Sequence, residues 1–100
     1  KYIGVRLTSG VLVAVTGYMT TEEAYLWAMT TTSFGKNASW GLYTQKKKDA
    51  ELMIRLLGAS SFIEDVESNA YPHLHFQGHN WYREDGFVFK HFHVWYGEIM

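Results

Sequence analysis

The sequence predicts an α+β domain: an N-terminal β-hairpin, two helices and a C-terminal antiparallel sheet carrying a histidine cluster. Three observations predict it. β-branched and aromatic residues flank Ser9-Gly10, a turn pair. Apolar residues then recur at helical spacing behind helix-start signals. Last, all five histidines fall between residues 73 and 93, as His73-Leu74-His75, His79 and His91-Phe92-His93, in segments rich in strand formers.

Along the chain, residues 2–16 form the predicted hairpin, with Tyr2, Ile3, Val5 and Leu7 before the turn and Val11 to Val15 after it; Gly17 is expected to break the run. Thr20-Thr21-Glu22-Glu23 has the form of a capping box, with Thr20 as N-cap. It predicts a helix over 21–30 that buries Ala24, Trp27 and Ala28 and ends in the threonine run at 30–32. Residues 34–39 read as a loop and Trp40-Gly41-Leu42-Tyr43 as a short strand. The second helix, over 46–57, follows from Ala50, Met53, Ile54 and Leu57, with Thr44 as cap and Gly58 beyond its end. Lys46-Lys47-Lys48 stands in its first turn, where the helix dipole is already positive, so the charge is either indifferent or used. Residues 59–70 stay ambiguous between loop and a brief strand at Phe62-Ile63 and Val66, and hold the acidic patch Glu64, Asp65 and Glu67. Residues 71–76 and 87–96 read as strands joined by a polar connection, 77–86.

One hundred residues suit one domain with one core. Residues 1–100 are expected to be that domain, cut from a longer protein because the chain opens on Lys1. Aromatics make up 17% of it, so rings build the core or a binding surface. The net charge of −1 argues against a wholly basic nucleic-acid module, although charge can be local. Cysteine is absent, which removes thiolates as nucleophiles or zinc ligands. The longest apolar run, Val11 to Val15, is far too short to cross a bilayer, so no membrane partner is expected.

Alternate residues of a strand point the same way. His73 and His75 therefore share one face, with Leu74 and Phe76 on the other. By the same rule Phe87, Phe89, His91, His93 and Trp95 share a face, opposite Val88, Lys90, Phe92, Val94 and Tyr96. If the two strands pair, the imidazoles meet. Such a cluster serves metal-free acid–base catalysis, in which one ring takes a proton from a ribose 2′-hydroxyl and another protonates the leaving oxygen. It also serves a metal: His73, His75 and His93 would hold zinc or another divalent cation and leave a position for water. The plainer alternative is a non-enzymatic interaction module with ordinary surface histidines. Glu84, Asp85 and Glu98 are the nearest carboxylates in sequence to the histidines, so a mixed histidine–carboxylate site is open but not indicated. Arg83, Lys47 and Lys90 are candidates for phosphate, and Tyr43 and Trp95 for stacking on bases, as are Trp40, Trp81 and Tyr82.

Pro72-His73-Leu74-His75-Phe76 resembles a stretch of lysostaphin-type zinc endopeptidases, but that family needs an upstream histidine and none precedes residue 73. A broader pattern is carried by Trp40-Gly41-Leu42-Tyr43-Thr44, Lys46-Lys47-Lys48-Asp49-Ala50, Pro72-His73-Leu74-His75 and His93-Val94-Trp95-Tyr96-Gly97. It is similar to the C-terminal toxin domains of bacterial polymorphic and contact-dependent toxins, which carry a W-x-x-Y-T segment, a K-x-D-A helix, a P-H-Y-H strand and a final H-x-W-Y-G strand. The match spans residues 40–97; the near-neutral charge and His91 depart from it. The resemblance implies secretion or contact delivery from a bacterium, action in the target-cell cytoplasm and a cognate immunity protein as partner. Many such domains are nucleases, especially ribonucleases, but the pattern itself does not name the substrate. The expected function is therefore a toxin domain that cleaves RNA without a metal cofactor, using His73, His75 and His93, with His91 beside them. A metal-dependent nuclease or hydrolase on the same imidazoles is the alternative.

Overall fold

The computed structural model describes residues 1–67 and 71–98. The predicted loop at Ser68-Asn69 lies outside the described residues. Two helices pack on one face of a six-stranded mixed sheet, and a two-stranded ribbon stands beside it. The α+β class read from the sequence is the one observed.

Strands β1 (Tyr2–Thr8) and β2 (Val11–Met19) form the hairpin. Ser9 and Gly10 both take positive φ, 51° and 78°, the twist a two-residue hairpin turn requires. Gly17 does not end β2. The strand runs on to Met19 past a bulge, where Thr16 Oγ1 accepts from the Gly4 N–H at 2.7 Å. Helix α1 (Thr21–Thr30) carries the capping box in full, and Ala24 and Ala28 are buried. Trp27 is only half-buried. It lies across Gly4, where any Cβ would come within 2.6 Å of the indole.

Strand β3 (Ser39–Thr44) is longer than expected and sits inside the sheet. Helix α2 (Lys47–Leu56) buries Ala50, Met53 and Ile54 as its periodicity requires. Thr44 is not its cap. It ends β3 and donates to the Lys1 carbonyl at 2.9 Å, while Lys46 takes the cap position without a side-chain bond. Strands β4 (Phe62–Asp65), β5 (His73–Phe76) and β8 (His91–Tyr96) complete the sheet, in the order β2-β1-β3-β8-β5-β4. All neighbours are antiparallel except β3 and β8, which run parallel.

The connection at 77–86 is more than a polar loop. It holds β6 (Trp81–Tyr82), which pairs with β7 (Val88–Phe89) in the separate ribbon. The chain breaks step at Lys90, between β7 and β8. Phe89 consequently joins Phe92 in the core instead of sharing the face of His91, His93 and Trp95.

The sheet has two different faces. Towards the helices lie Trp40, Leu42, Leu74, Phe92 and Val94 with Met53, Ile54 and Trp81. Trp40 is fully buried, stacked on Phe34 and met edge-on by Phe89 and Phe92. These tryptophans are core and are closed to nucleic-acid bases; Tyr82 alone of the aromatics read in this connection is exposed. On the opposite face Ile3, Val5, Leu12, Tyr43 and Trp95 form a smaller apolar cluster. The histidines adjoin that cluster.

Candidate functional site

Register builds the site. Asp65 on β4 pairs with His73 on β5, which pairs with Trp95 on β8, which pairs with Tyr43 on β3. Paired residues project to the same side, so one row across the sheet reads Asp65, His73, Trp95, Tyr43. In the next row Ile63 pairs with His75 and Gly41 pairs with His93. A Cβ at Gly41 would lie 1.7 Å from the His93 carbonyl oxygen, so only glycine lets β3 close on β8 where His93 sits.

Four imidazoles meet. His73 lies 4.6 Å from His93 and 5.7 Å from His75 between ring centroids, and His75 lies 5.9 Å from His93. The fourth is His79. A turn with Gly78 at φ 71°, closed by the His79 N–H donating to the Phe76 carbonyl at 3.0 Å, folds the chain back over β5. His79 itself takes φ 69°, and its ring stacks on His75 at 4.0 Å and 17°. The inner pair, His75 and His93, is largely covered; His73 is half-buried and His79 is exposed. His91 is exposed on the same face as His93 and reaches the group only through its charge.

The rings are held in unequal surroundings. His73 Nδ1 donates to the Tyr71 carbonyl at 2.8 Å, and its Nε2 faces Asp65 Oδ2 at 3.6 Å. His75 Nδ1 donates to the Phe76 carbonyl at 2.8 Å, which leaves its Nε2 as the lone-pair nitrogen of the neutral ring. His93 Nδ1 is buried with no hydrogen-bond partner. Burial, then the neighbouring imidazoles, hold the His93 ring down to about 3 from its ordinary 6.5, so it is neutral at pH 7. His79 is lowered for the same reasons in the same order, with Asp65 opposing.

Asp65, His73 and His75 each offer one metal-ligating atom, and the three atoms lie within 4.8 Å of one another. Asp65 was visible in the sequence only as part of an acidic patch. Strand pairing, not nearness along the chain, brings it to His73. Glu84, Asp85 and Glu98 are not among these donors; the group differs from the expected His73, His75 and His93 set in having Asp65 in the place of His93. His79 escapes the strand pattern, since a lone histidine beside Gly78 carries no periodicity. The Gly78-His79 pair, a turn signal directly after a His-x-His strand, was the available clue.

The other expected contacts lie elsewhere. The Arg83 side chain is fully covered on the helix side of the sheet. It donates twice to Asp85, at 2.8 Å each, and to the carbonyls of Ala28 and Thr31 at 2.9 and 2.7 Å. Its guanidinium lies over Phe87 and Phe89. Arg83 thus caps the C-terminus of α1, which has no basic residue in its own last turn. It is spent on structure and is not available to phosphate. We expect Arg83→Met to cost on the order of 3 kcal/mol, from lost charge-assisted bonds and the exposed helix end. Urea unfolding reads it; wild-type stability together with lost activity would return Arg83 to the site.

Lys47 lies on the helix side too, paired with Glu64 at 2.8 Å, and Glu64 also accepts the Tyr96 hydroxyl. Glu64 and Asp65 are adjacent in β4, so they project to opposite faces. The Lys47 bond, followed by the Tyr96 bond, holds Glu64 below the usual carboxylate range, while burial and then Glu64 raise Tyr96 to about 12. The lysine in the first turn of α2 is therefore neutralised from β4. Trp95 is buried against His93 at 5.0 Å and His73 at 6.3 Å, and works as the wall of the site instead of an open stacking platform. Tyr43 is buried beside it and donates its hydroxyl to the Gly97 carbonyl. Lys90 is exposed next to His91, with its backbone N–H on the Lys36 carbonyl at 3.0 Å.

No protein-family model, curated protein or solved structure matches this chain. Among the described residues no helix is long and apolar enough to cross a membrane.

Proposed function

We propose that this domain cleaves RNA by transferring protons between histidines. The observation that carries the reading is the contact of four imidazoles, in unequal surroundings, on a face that solvent reaches. Groups whose environments divide them between protonation states are the apparatus of acid–base chemistry. RNA suits that apparatus because its own 2′-hydroxyl supplies the nucleophile, so the protein has only to move protons.

His73 and His79 both lie beside His75, at 5.7 and 4.0 Å between ring centroids, and beside His93, at 4.6 and 6.4 Å. His79, exposed and biased towards neutrality, takes the proton of the 2′-hydroxyl. The 2′ oxygen bonds to phosphorus, the bond from phosphorus to the 5′ oxygen breaks, and His73 gives its proton to that leaving oxygen. The Tyr71 carbonyl holds Nδ1 and fixes the ring, and Nε2, at 3.6 Å from Asp65 and beyond hydrogen-bond range of it, carries the proton that is given up. His75 and His93 hold the outer rings apart and exclude water. Of the expected phosphate contacts Lys90 fits this step, being exposed beside His91, while Arg83 and Lys47 are paired with Asp85 and Glu64. A toxin role, delivery from a bacterial parent into the target-cell cytoplasm and a cognate immunity protein complete the proposal, and rest on the sequence pattern over residues 40–97.

The test is incubation of the purified domain in chelator with RNA, with the same RNA methylated at the 2′-oxygens, and with DNA. The expected products are 2′,3′-cyclic phosphate and 5′-hydroxyl ends, from unmodified RNA alone. RNA left intact under all conditions overturns the reading. Cleavage that chelator abolishes and zinc restores selects a metal-dependent hydrolase on the same residues.

A further inference from the structure

We infer that Asp65, His73 and His75 form a binding site for a borderline divalent transition cation, zinc foremost, and that its occupation switches the histidine chemistry off. The regulatory half rests on the proposed acid–base function; the binding half does not.

The donor set is chemically selective. Two imidazole nitrogens and one carboxylate suit zinc and its neighbours, while magnesium and calcium prefer all-oxygen shells. The three donor atoms already lie within 4.8 Å of one another, so modest side-chain movement brings them onto one ion. Two observations beyond their nearness point to a ligand. Each imidazole donates its Nδ1–H to a backbone carbonyl at 2.8 Å, Tyr71 for His73 and Phe76 for His75. That is the outer-shell arrangement of metal-bound histidines, and it fixes the tautomer with Nε2 free to coordinate. The third ligand comes from a neighbouring strand at a fixed register, Asp65 opposite His73. The site is therefore built on paired strands and not on a loop.

The consequence for catalysis is competition for lone pairs. A cation on His73 Nε2 takes the electron pair that carries the transferable proton, and a cation on His75 pins the ring on which His79 stacks. No bond of the substrate is made or broken in this step.

The experiment titrates the folded, chelator-stripped domain with Co²⁺ and with Zn²⁺, following the visible ligand-field bands of Co²⁺ and their loss on displacement by Zn²⁺, and in parallel measures RNA cleavage. We expect one equivalent bound, no competition from Mg²⁺, and loss of cleavage as zinc fills the site. Asp65→Asn, a change on an edge strand, should weaken Co²⁺ binding by more than the about 10–100-fold that loss of an outer-shell partner costs. His91→Ala should leave it unchanged. Absence of Co²⁺ bands from a domain that still cleaves RNA overturns the site alone. Metal binding by a domain that cleaves no RNA leaves the site standing and overturns the acid–base function. Bands unaffected by Asp65→Asn overturn the ligand assignment, and cleavage raised by zinc overturns the inhibitory role.

Discussion

His73→Ala is expected to reduce RNA cleavage by about 10²–10⁴-fold, the usual worth of a positioned proton donor. The ring lies in the surface of the sheet, 13% exposed, between Asp65 and Trp95, so its removal leaves a shallow hollow and the core beneath stays filled. Far-ultraviolet circular dichroism and the urea midpoint should stay near those of the parent, because Trp40, Trp81 and Phe92 pack on the opposite face, while Trp95 beside the ring changes its near-ultraviolet signal. Asp65→Asn is expected to cost less. It orients the ring from 3.6 Å, and the Tyr71 carbonyl still holds the other nitrogen. His79→Ala removes the proton acceptor without touching the core, since the residue is exposed in a turn. Its loss should abolish the acidic limb of the kcat/KM profile, which falls below pH 6.5 because His79 is lowered from that value and must be neutral to act. Activity unchanged in His73→Ala/His79→Ala, with the parent's far-ultraviolet spectrum retained, would remove the case for catalysis by this cluster.

The residues that sequence reasoning found and missed divide along one physical line. Local chemistry was legible: the Ser9-Gly10 turn, the capping box at Thr20 and the apolar stripe of α2 are each decided by residues within a few positions of each other. Period 2 was legible as well, and it placed His73, His75 and His93 on one face. What the sequence could not carry was pairing. Asp65 reaches His73 only because β4 lies beside β5, and β3 runs parallel to β8 only because α2 and the later strands intervene. Charge followed the same rule. Lys47 and Arg83 looked free in sequence, yet their partners, Glu64 and the end of α1, are distant along the chain. The alternation argument failed where it crossed Lys90, since one irregular residue is enough to send Phe89 to the other face. His79 was hidden because its placement depends on backbone dihedrals at positive φ, which a side-chain pattern does not encode.

The domain should unfold in acid, and His93 should account for much of the dependence. In the native protein this ring stays neutral down to about pH 3, whereas in the unfolded chain it takes a proton near 6.5. Above pH 6.5 neither state is protonated and the full stability is present. As the pH falls from 6.5 towards 3 the unfolded chain gains a proton that the folded one refuses, and stability drops by about 1.4 kcal/mol per pH unit. Over that range the loss becomes comparable with the roughly 5–15 kcal/mol that holds an ordinary domain together. Carboxylates held low in the fold, Glu23, Glu64 and Asp85, add their own losses only below about pH 4.5. The two contributions therefore separate by pH. Urea titrations in chelator at intervals from pH 7.5 to 4 should show the parent losing stability throughout, and His93→Leu losing distinctly less until the carboxylates begin to titrate, with the lowered His79 still contributing. At pH 7 the leucine variant should be no less stable than the parent, because it also removes the buried Nδ1 that has no partner. Parallel profiles for the two proteins would mean that His93 accepts protons freely in the native state. His93 could not then be the neutral ring between His73 and His79 that the proposed division of roles requires.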